Sequence, residues 1–143
     1  MRTEYHFQPT QPYGLHDMHI RGMEIRNGNL HLAFAEGFVR LEEPYPRVKG
    51  FMTAQGIDPD FCTVMLLSKN GQYGTFTGHK YSLAEFLAKH PVLDFEVVGE
   101  FYGYNKLLYN GYLSLPDSKH LLEMQLEVYY EGGIVYQTEE EVP

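Results

Sequence analysis

The chain has 143 residues, of which 43% are hydrophobic and 21% are charged, and this composition is that of a folded domain rather than of a disordered segment. We expect a single domain over residues 1–143, because the length suits one core and neither a linker nor an internal repeat divides it. The net charge is −8 and no basic stripe neutralises phosphates, so we expect no nucleic-acid partner.

The sequence also predicts where the protein resides. No apolar run approaches the roughly 20 residues of a transmembrane helix, and Met1–His6 lacks the apolar core of a signal peptide. The single cysteine, Cys62, cannot form an internal disulfide, and it lies in the apolar run Phe61–Leu67, where we expect a buried, unreactive thiol. We therefore expect a cytoplasmic protein without a membrane partner.

The first strong structural signal is a β-hairpin over Met18–Ala35. Asn27-Gly28 predicts a two-residue type I′ turn between segments that alternate with period two. Strict pairing would set a charged residue opposite Phe34, whereas a β-bulge at Arg21-Gly22 restores Ile20 to that position. The hairpin then turns three side chains toward the core: Leu30, Leu32 and Phe34.

The middle of the chain contains a connection, two strands and a helix. Glu42–Pro46 is predicted to be a connection or sheet edge, since proline cannot donate to a ladder. Phe61–Lys69 predicts a continuous apolar strand that is buried on both faces or nearly so, and Asn70-Gly71 turns it into a second strand over Tyr73–Thr77.

One short helix is predicted near residues 82–90. Ser82-Leu83-Ala84-Glu85 is a capping box, and Tyr81 and Phe86 are placed to form a hydrophobic staple. His90-Pro91 ends the helix.

In the C-terminal third of the chain, apolar and polar residues again alternate with period two. Phe95–Phe101 places Phe95, Val97 and Phe101 on one face, and Glu96, Val98 and Glu100 on the other. Gly103-Tyr104-Asn105 and Asn110-Gly111 are equally good turns, and we favour a long strand Leu107–Leu115 with a kink at Asn110-Gly111.

The last segments predict one more hairpin. Leu122–Tyr130 alternates strictly, and Gly132-Gly133 returns it onto Ile134–Gln137, which sets Tyr129 opposite Tyr136. The predicted fold is mostly β: an antiparallel β-sandwich or partly closed barrel with one short helix.

The histidines near the N-terminus suggest a metal site, but their spacing does not predict ligands that converge on one ion. If Leu15–His19 is a strand, Asp17 and His19 share a face while His16 points away, and His31 lies opposite Glu24. We therefore expect no metal and no other cofactor.

Paired carboxylates suggest acid–base catalysis, as in glycoside hydrolysis. Glu96 and Glu100 share one predicted strand face, and so do Glu123 and Glu127. Acids on the solvent side of a sheet produce such pairs automatically, and nothing in the sequence buries one carboxylate to raise its pKa. No nucleophile elbow or phosphate-binding loop occurs either, so we favour a non-catalytic protein.

The most distinctive region is acidic and rich in tyrosine. Residues 1–81 carry eight acids and eight Lys/Arg, so the whole net charge lies in the remainder, with eleven acids and three lysines. Acids select a cationic partner, and tyrosine offers large contact area at low entropy cost. The predicted binding residues are Glu100, Tyr102, Tyr104, Asn105, Tyr109, Tyr112 and Tyr129.

Three segments carry a resemblance to known proteins. Leu15-His16-Asp17, Phe101–Tyr112 and Tyr129-Tyr130-Glu131-Gly132 together resemble small, uncharacterised bacterial proteins, and some domains of this build resemble immunity proteins that neutralise polymorphic toxins. The resemblance implies a compact, acidic, β-rich binding protein, and no functional residue carries over from it.

The leading hypothesis is therefore the binding of a basic protein through the acidic, tyrosine-rich C-terminal sheet. This requires the hydroxyls of Tyr102, Tyr104, Tyr109 and Tyr112 to be available at the surface. The alternative is a domain that binds a small ligand or carbohydrate in a pocket lined by these rings, and a hydrolase is one form of this alternative. A third alternative is homodimerisation through the same sheet.

Overall fold

The computed structural model describes residues 1–69, 73–75 and 77–139. Two antiparallel sheets form a sandwich, and a single α-helix is present in the described residues, so the predicted fold class is confirmed. The elements are β1 (Tyr13–Gly14), β2 (His19–Arg26), β3 (Asn29–Phe34), β4 (Phe38–Arg40), β5 (Arg47–Val48), β6 (Gly50–Ile57), a 3₁₀ turn (Pro59–Phe61), β7 (Thr63–Lys69), β8 (His79–Ser82), α1 (Leu83–Lys89), β9 (Asp94–Gly103), β10 (Lys106–Ser114) and β11 (Leu122–Thr138).

The larger sheet has eight strands in the order β10-β9-β2-β3-β6-β11-β7-β8, and the smaller sheet has the order β1-β4-β5. β11 also pairs with β10, so the larger sheet partly closes into a ring without becoming a barrel. Buried apolar side chains from both sheets and from α1 form the core, among them Phe38, Phe86 and Phe95. In the described chain, no helix combines the length and apolarity needed to cross a membrane.

The hairpin of β2 and β3 agrees with the predicted register. Asn27 and Gly28 have φ values of 52° and 76°, the positive values that a type I′ turn requires. Ile25 pairs with Leu30, and the register shifts between Ile20 and Gly22, so that Ile20 lies opposite Phe34 across the predicted bulge. Local alternation was sufficient here because the turn and the apolar pattern require the same pairing.

The predicted helix is also confirmed. The Ser82 hydroxyl accepts a hydrogen bond from the Glu85 amide at 3.2 Å, and the helix ends at the cap residue His90. The rings of Tyr81 and Phe86 lie 6.0 Å apart, as a hydrophobic staple requires. Leu83 and Phe86 are buried against the sheet.

The middle strands differ in part from the prediction. Cys62 is buried as expected, but β7 is not buried on both faces, since Val64 and Leu66 are buried while Met65 is partly exposed. Phe61 belongs to the exposed 3₁₀ turn instead of the strand. Glu42–Pro46 connects β4 to β5, as predicted.

The strand expected over Tyr73–Thr77 is wrong for its described residues. The strand that pairs with β7 is β8, which begins only at His79. The predicted turn Asn70-Gly71 lies outside the described residues.

The predicted C-terminal hairpin is wrong, because β11 is one continuous strand of 17 residues. Its first half pairs with β7 and its second half with β6, and the register shifts between Tyr130 and Gly133. A side chain at Gly132 would place its Cβ 2.7 Å from the Cβ of Gln55, so glycine permits a bulge where a turn was expected. Tyr129 therefore lies opposite Lys106 rather than opposite Tyr136.

Candidate functional site

A bulge in β9 decides which side chains of the C-terminal strands face solvent. Asn110 lies opposite Gly99 but Gly111 lies opposite Val97, so Val98 is an extra residue in β9. A Cβ at Gly111 would lie 1.8 Å from the Glu96 carbonyl oxygen, and glycine therefore permits the close approach of the two strands. The favoured long strand is confirmed as β10, but the irregularity beside Asn110-Gly111 is a bulge in β9 rather than a kink in β10, and the turn between the two strands lies at Tyr104-Asn105.

The bulge inverts the alternation in the second half of β9. Phe101, predicted on the core face with Phe95 and Val97, is 55% exposed. Glu100, predicted to face solvent beside Glu96, turns inward and is partly buried, so these two acids do not share a face. An extra residue reverses every later side chain of a strand, because the side-chain period is two.

The inward-facing residues form a chain of hydrogen bonds, which we call the inner cluster: Glu100, Tyr102 and Tyr109. The Tyr102 hydroxyl donates to Glu100 Oε2 at 3.1 Å. The fully buried Tyr109 hydroxyl lies 2.9 Å from the Tyr102 hydroxyl and 3.3 Å from Met52 Sδ. No buried side-chain polar atom of the described residues lacks a partner, so the inner cluster is satisfied within the protein.

Burial sets the electrostatics of the inner cluster. It raises the pKa of the Glu100 carboxyl, although the Leu15 amide, the Tyr102 hydroxyl and His16 act in the opposite direction. It also raises the pKa of the Tyr102 and Tyr109 hydroxyls, which therefore remain protonated donors. The expectation that no carboxylate is buried is wrong, because the sequence does not reveal the bulge that turns Glu100 inward.

The opposite side of the same strands carries partly exposed aromatic and acidic side chains. In the register of β9, β10 and β11, Leu108 lies between Phe101 and Glu127, and Tyr112 lies between Glu96 and Glu123. Tyr129 follows on β11, and its ring packs 6.1 Å from the exposed ring of Phe61. We call this surface the aromatic–acidic face: Glu96, Phe101, Leu108, Tyr112, Glu123, Glu127 and Tyr129.

A small notch interrupts the aromatic–acidic face. Its volume is about 230 Å³, and its lining includes the bulge residue Val98 and the neighbouring Gly111. The lining includes two amides, one carboxylate, one phenol ring and two aliphatic side chains: Asn110, Gln125, Glu123, Tyr112, Leu67 and Val98.

The predicted binding residues are thus divided among three places. Glu100, Tyr102 and Tyr109 lie in the inner cluster, so the condition that their hydroxyls be available at the surface is not met for Tyr102 and Tyr109. Tyr104, which is 90% exposed, and Asn105 form the tip of the β9–β10 hairpin. Tyr112 and Tyr129 belong to the aromatic–acidic face.

The sequence prediction missed Phe101, Leu108 and the glutamates of the aromatic–acidic face as binding candidates. Two isolated glycines within strand patterns, Gly99 and Gly111, were the available signal, because such glycines often mark a bulge or a close backbone approach. The two residues do lie beside the bulge.

The N-terminal histidines are used separately. His16 and Asp17 lie in a turn, where Asp17 has a φ of 65°, so the strand considered for Leu15–His19 begins only at His19. His16 Nδ1 lies 2.6 Å from the Val98 carbonyl oxygen, and His19 Nδ1 lies 2.7 Å from Asp94 Oδ1. In the described part of the chain, no three His, Cys, Asp or Glu side chains converge as metal ligands.

Comparisons with known proteins add no relative. No family model matches the chain. No curated protein and no solved structure matches it significantly either. We therefore infer the function from the geometry of the aromatic–acidic face and the inner cluster.

Proposed function

We propose that the protein binds a basic protein partner through the aromatic–acidic face. The observation that carries this proposal is the outward turn of Phe101, which places a 55% exposed aromatic ring on β9 opposite Leu108 of β10. Such a ring leaves apolar surface for a partner, and aromatic anchors contribute most of the affinity in protein interfaces. Leu108, Tyr112 and Tyr129 extend the same surface on neighbouring strands.

The charge of the face supports a basic partner. Glu96 and Glu123 flank Tyr112, and Glu127 is paired with Lys106 at the edge of the face. Acidic groups around aromatic anchors speed the encounter with a cationic protein and select against acidic competitors. A dimer of two such faces would bring the same glutamates of both copies together, which favours a separate partner over self-association.

The shape of the region supports a protein partner rather than a small ligand. The notch of about 230 Å³ is smaller than the roughly 300–1,000 Å³ of ligand pockets. The phenols expected to line such a pocket include Tyr102 and Tyr109, whose hydroxyls are occupied by each other and by Glu100. The inner cluster thus supports the strands from within, while the opposite side is free for contact.

A display library of random cyclic peptides tests the proposal with defined probes. We expect selection on the protein to enrich peptides with a net positive charge, whose binding weakens as ionic strength rises. Phe101→Ala and Tyr112→Ala should each weaken the enriched peptides by roughly tenfold or more, because each removes an aromatic anchor.

Phe51→Ala is the matched control. Phe51 is 44% exposed, so it resembles Phe101 in type and exposure, but it lies on β6. Its replacement should leave peptide binding unchanged. The proposal fails if the enriched peptides show no charge preference, or if Phe101→Ala and Phe51→Ala have equal effects.

A further inference from the structure

The notch in the aromatic–acidic face offers a more specific inference, which rests on the proposed function. We propose that the notch is the subsite for a single lysine or arginine side chain of the basic partner. Its size suits the end of one side chain rather than a whole ligand, and its lining includes Glu123, one of the two acids that flank Tyr112.

The lining has the chemistry that a long cationic side chain needs. Leu67 and Val98 are aliphatic and suit the apolar stem, while the oxygens of Asn110 and Gln125 are acceptors for the charged head. Tyr112 adds an aromatic ring that attracts a cation. Glu123 supplies the negative charge, and a charge-assisted hydrogen bond to it is the strongest single contact available in the notch.

Two glutamates of β11, Glu123 and Glu127, differ in their ion pairs with described side chains. Glu127 is paired with Lys106, whereas no ion pair of Glu123 occurs among the side chains that the structure describes. Among the residues that the structure describes, the lining of the notch carries one charged group, the carboxylate of Glu123. A cation from a partner would complement this negative charge, and Glu127 offers a control on the same strand and the same face.

Two probes test the subsite directly. N-acetyl-arginine amide and its neutral isostere N-acetyl-citrulline amide are titrated into ¹⁵N-labelled protein. We expect arginine, but not citrulline, to shift the backbone amide signals of Gly111 and Tyr112 and the side-chain amides of Asn110 and Gln125. Glu123→Gln should abolish these shifts, and Glu127→Gln should preserve them. The subsite is overturned if both probes cause the same shifts, if neither shifts these signals, or if Glu123→Gln leaves the response to arginine intact.

The enriched cyclic peptides provide a second arm. We expect Glu123→Gln to weaken them by roughly tenfold or more, as does the loss of one hydrogen bond to a charged group. Glu127→Gln should change their affinity by about twofold or less, since exposed ion pairs contribute little. If Phe101→Ala weakens the binding of the peptides but Glu123→Gln does not, the subsite is refuted and the proposed function stands. Peptides that ignore Phe101 while arginine still shifts the notch signals would refute the proposed function and leave the subsite standing.

Discussion

Three consecutive residues of β9 serve two opposite surfaces. Glu100 and Tyr102 face the inner cluster, and Phe101 between them faces solvent. This arrangement places the Glu100 carboxyl group in a partly buried position, where desolvation disfavours its charged form. Glu100 therefore connects protonation to the stability of the strand that carries Phe101.

The pH dependence of stability should reveal how much the burial of the Glu100 carboxylate destabilises the protein. The pKa of Glu100 is raised by burial above its ordinary value of 4.5, so the native state binds this proton more tightly than the unfolded state. The stabilisation that the protonated Glu100 carboxyl contributes is therefore fully present below its pKa in the unfolded state. It is lost as the pH rises through its pKa in the folded state. The glutamine of the Glu100→Gln variant cannot ionise. We therefore expect the unfolding free energy of the variant to increase relative to that of the wild-type protein as the pH rises from below 4.5 toward neutrality.

Urea denaturation followed by circular dichroism, with both proteins measured at each pH, checks this expectation. The comparison at equal pH cancels the titration of all other groups to first order. A difference in unfolding free energy between the two proteins that stays constant across this pH range would contradict the expectation.

At the scale of elements, the contact of β9 with β10 depends on Gly111. β10 pairs without interruption with β11, so the irregularity falls entirely on β9. Because a Cβ at Gly111 would meet the backbone of Glu96, no side-chain movement can relieve the overlap. The bulge, the inversion of alternation and the notch all depend on this single contact.

Gly111→Ala should therefore destabilise the protein by about 3 kcal/mol or more, because backbone atoms must move to accept the methyl group. Gly103 in the same hairpin is the matched control, since a Cβ there would meet nothing within 4 Å. Gly103→Ala should change the unfolding free energy by less than about 0.5 kcal/mol. Urea denaturation of both variants measures the difference, and equal costs would show that the close approach at Gly111 is unimportant.

At the scale of the whole molecule, β11 joins the parts of the fold. Its first half pairs with β7 and β10, and its second half with β6. Cys62 lies where these parts meet: its thiol donates to the Asp58 carbonyl at 3.2 Å, and its own carbonyl accepts the Leu83 amide at the start of α1. Exposure of this thiol therefore requires the separation of several elements.

Cys62 should consequently report on unfolding of the whole molecule. Burial raises the pKa of its thiol, and both low access and a low thiolate fraction slow its reaction with disulfide reagents. We expect negligible labelling in native buffer and a labelling midpoint in urea that coincides with the midpoint from circular dichroism. Rapid labelling of the folded protein would mean that the region around Cys62 opens by itself.

By itself, the sequence determined those elements whose signals are local. The β2–β3 hairpin, its bulge and the capped helix α1 depend on residues a few positions apart, where turn conformation, capping and alternation all require the same structure. The fold class followed from the same alternation, which repeats along most of the chain.

Only the tertiary structure decided which partner each C-terminal strand found and which way its side chains turned. Gly132-Gly133 is as suitable for a hairpin as for a bulge, and the bulge formed because β6 and β7 together provide a partner for the full length of β11. In the same way, the contact of Gly111 with Glu96 inverted β9, sending Glu100 inward and Phe101 outward. Both outcomes depend on the approach of strands distant in sequence, which the local alternation of residues does not encode.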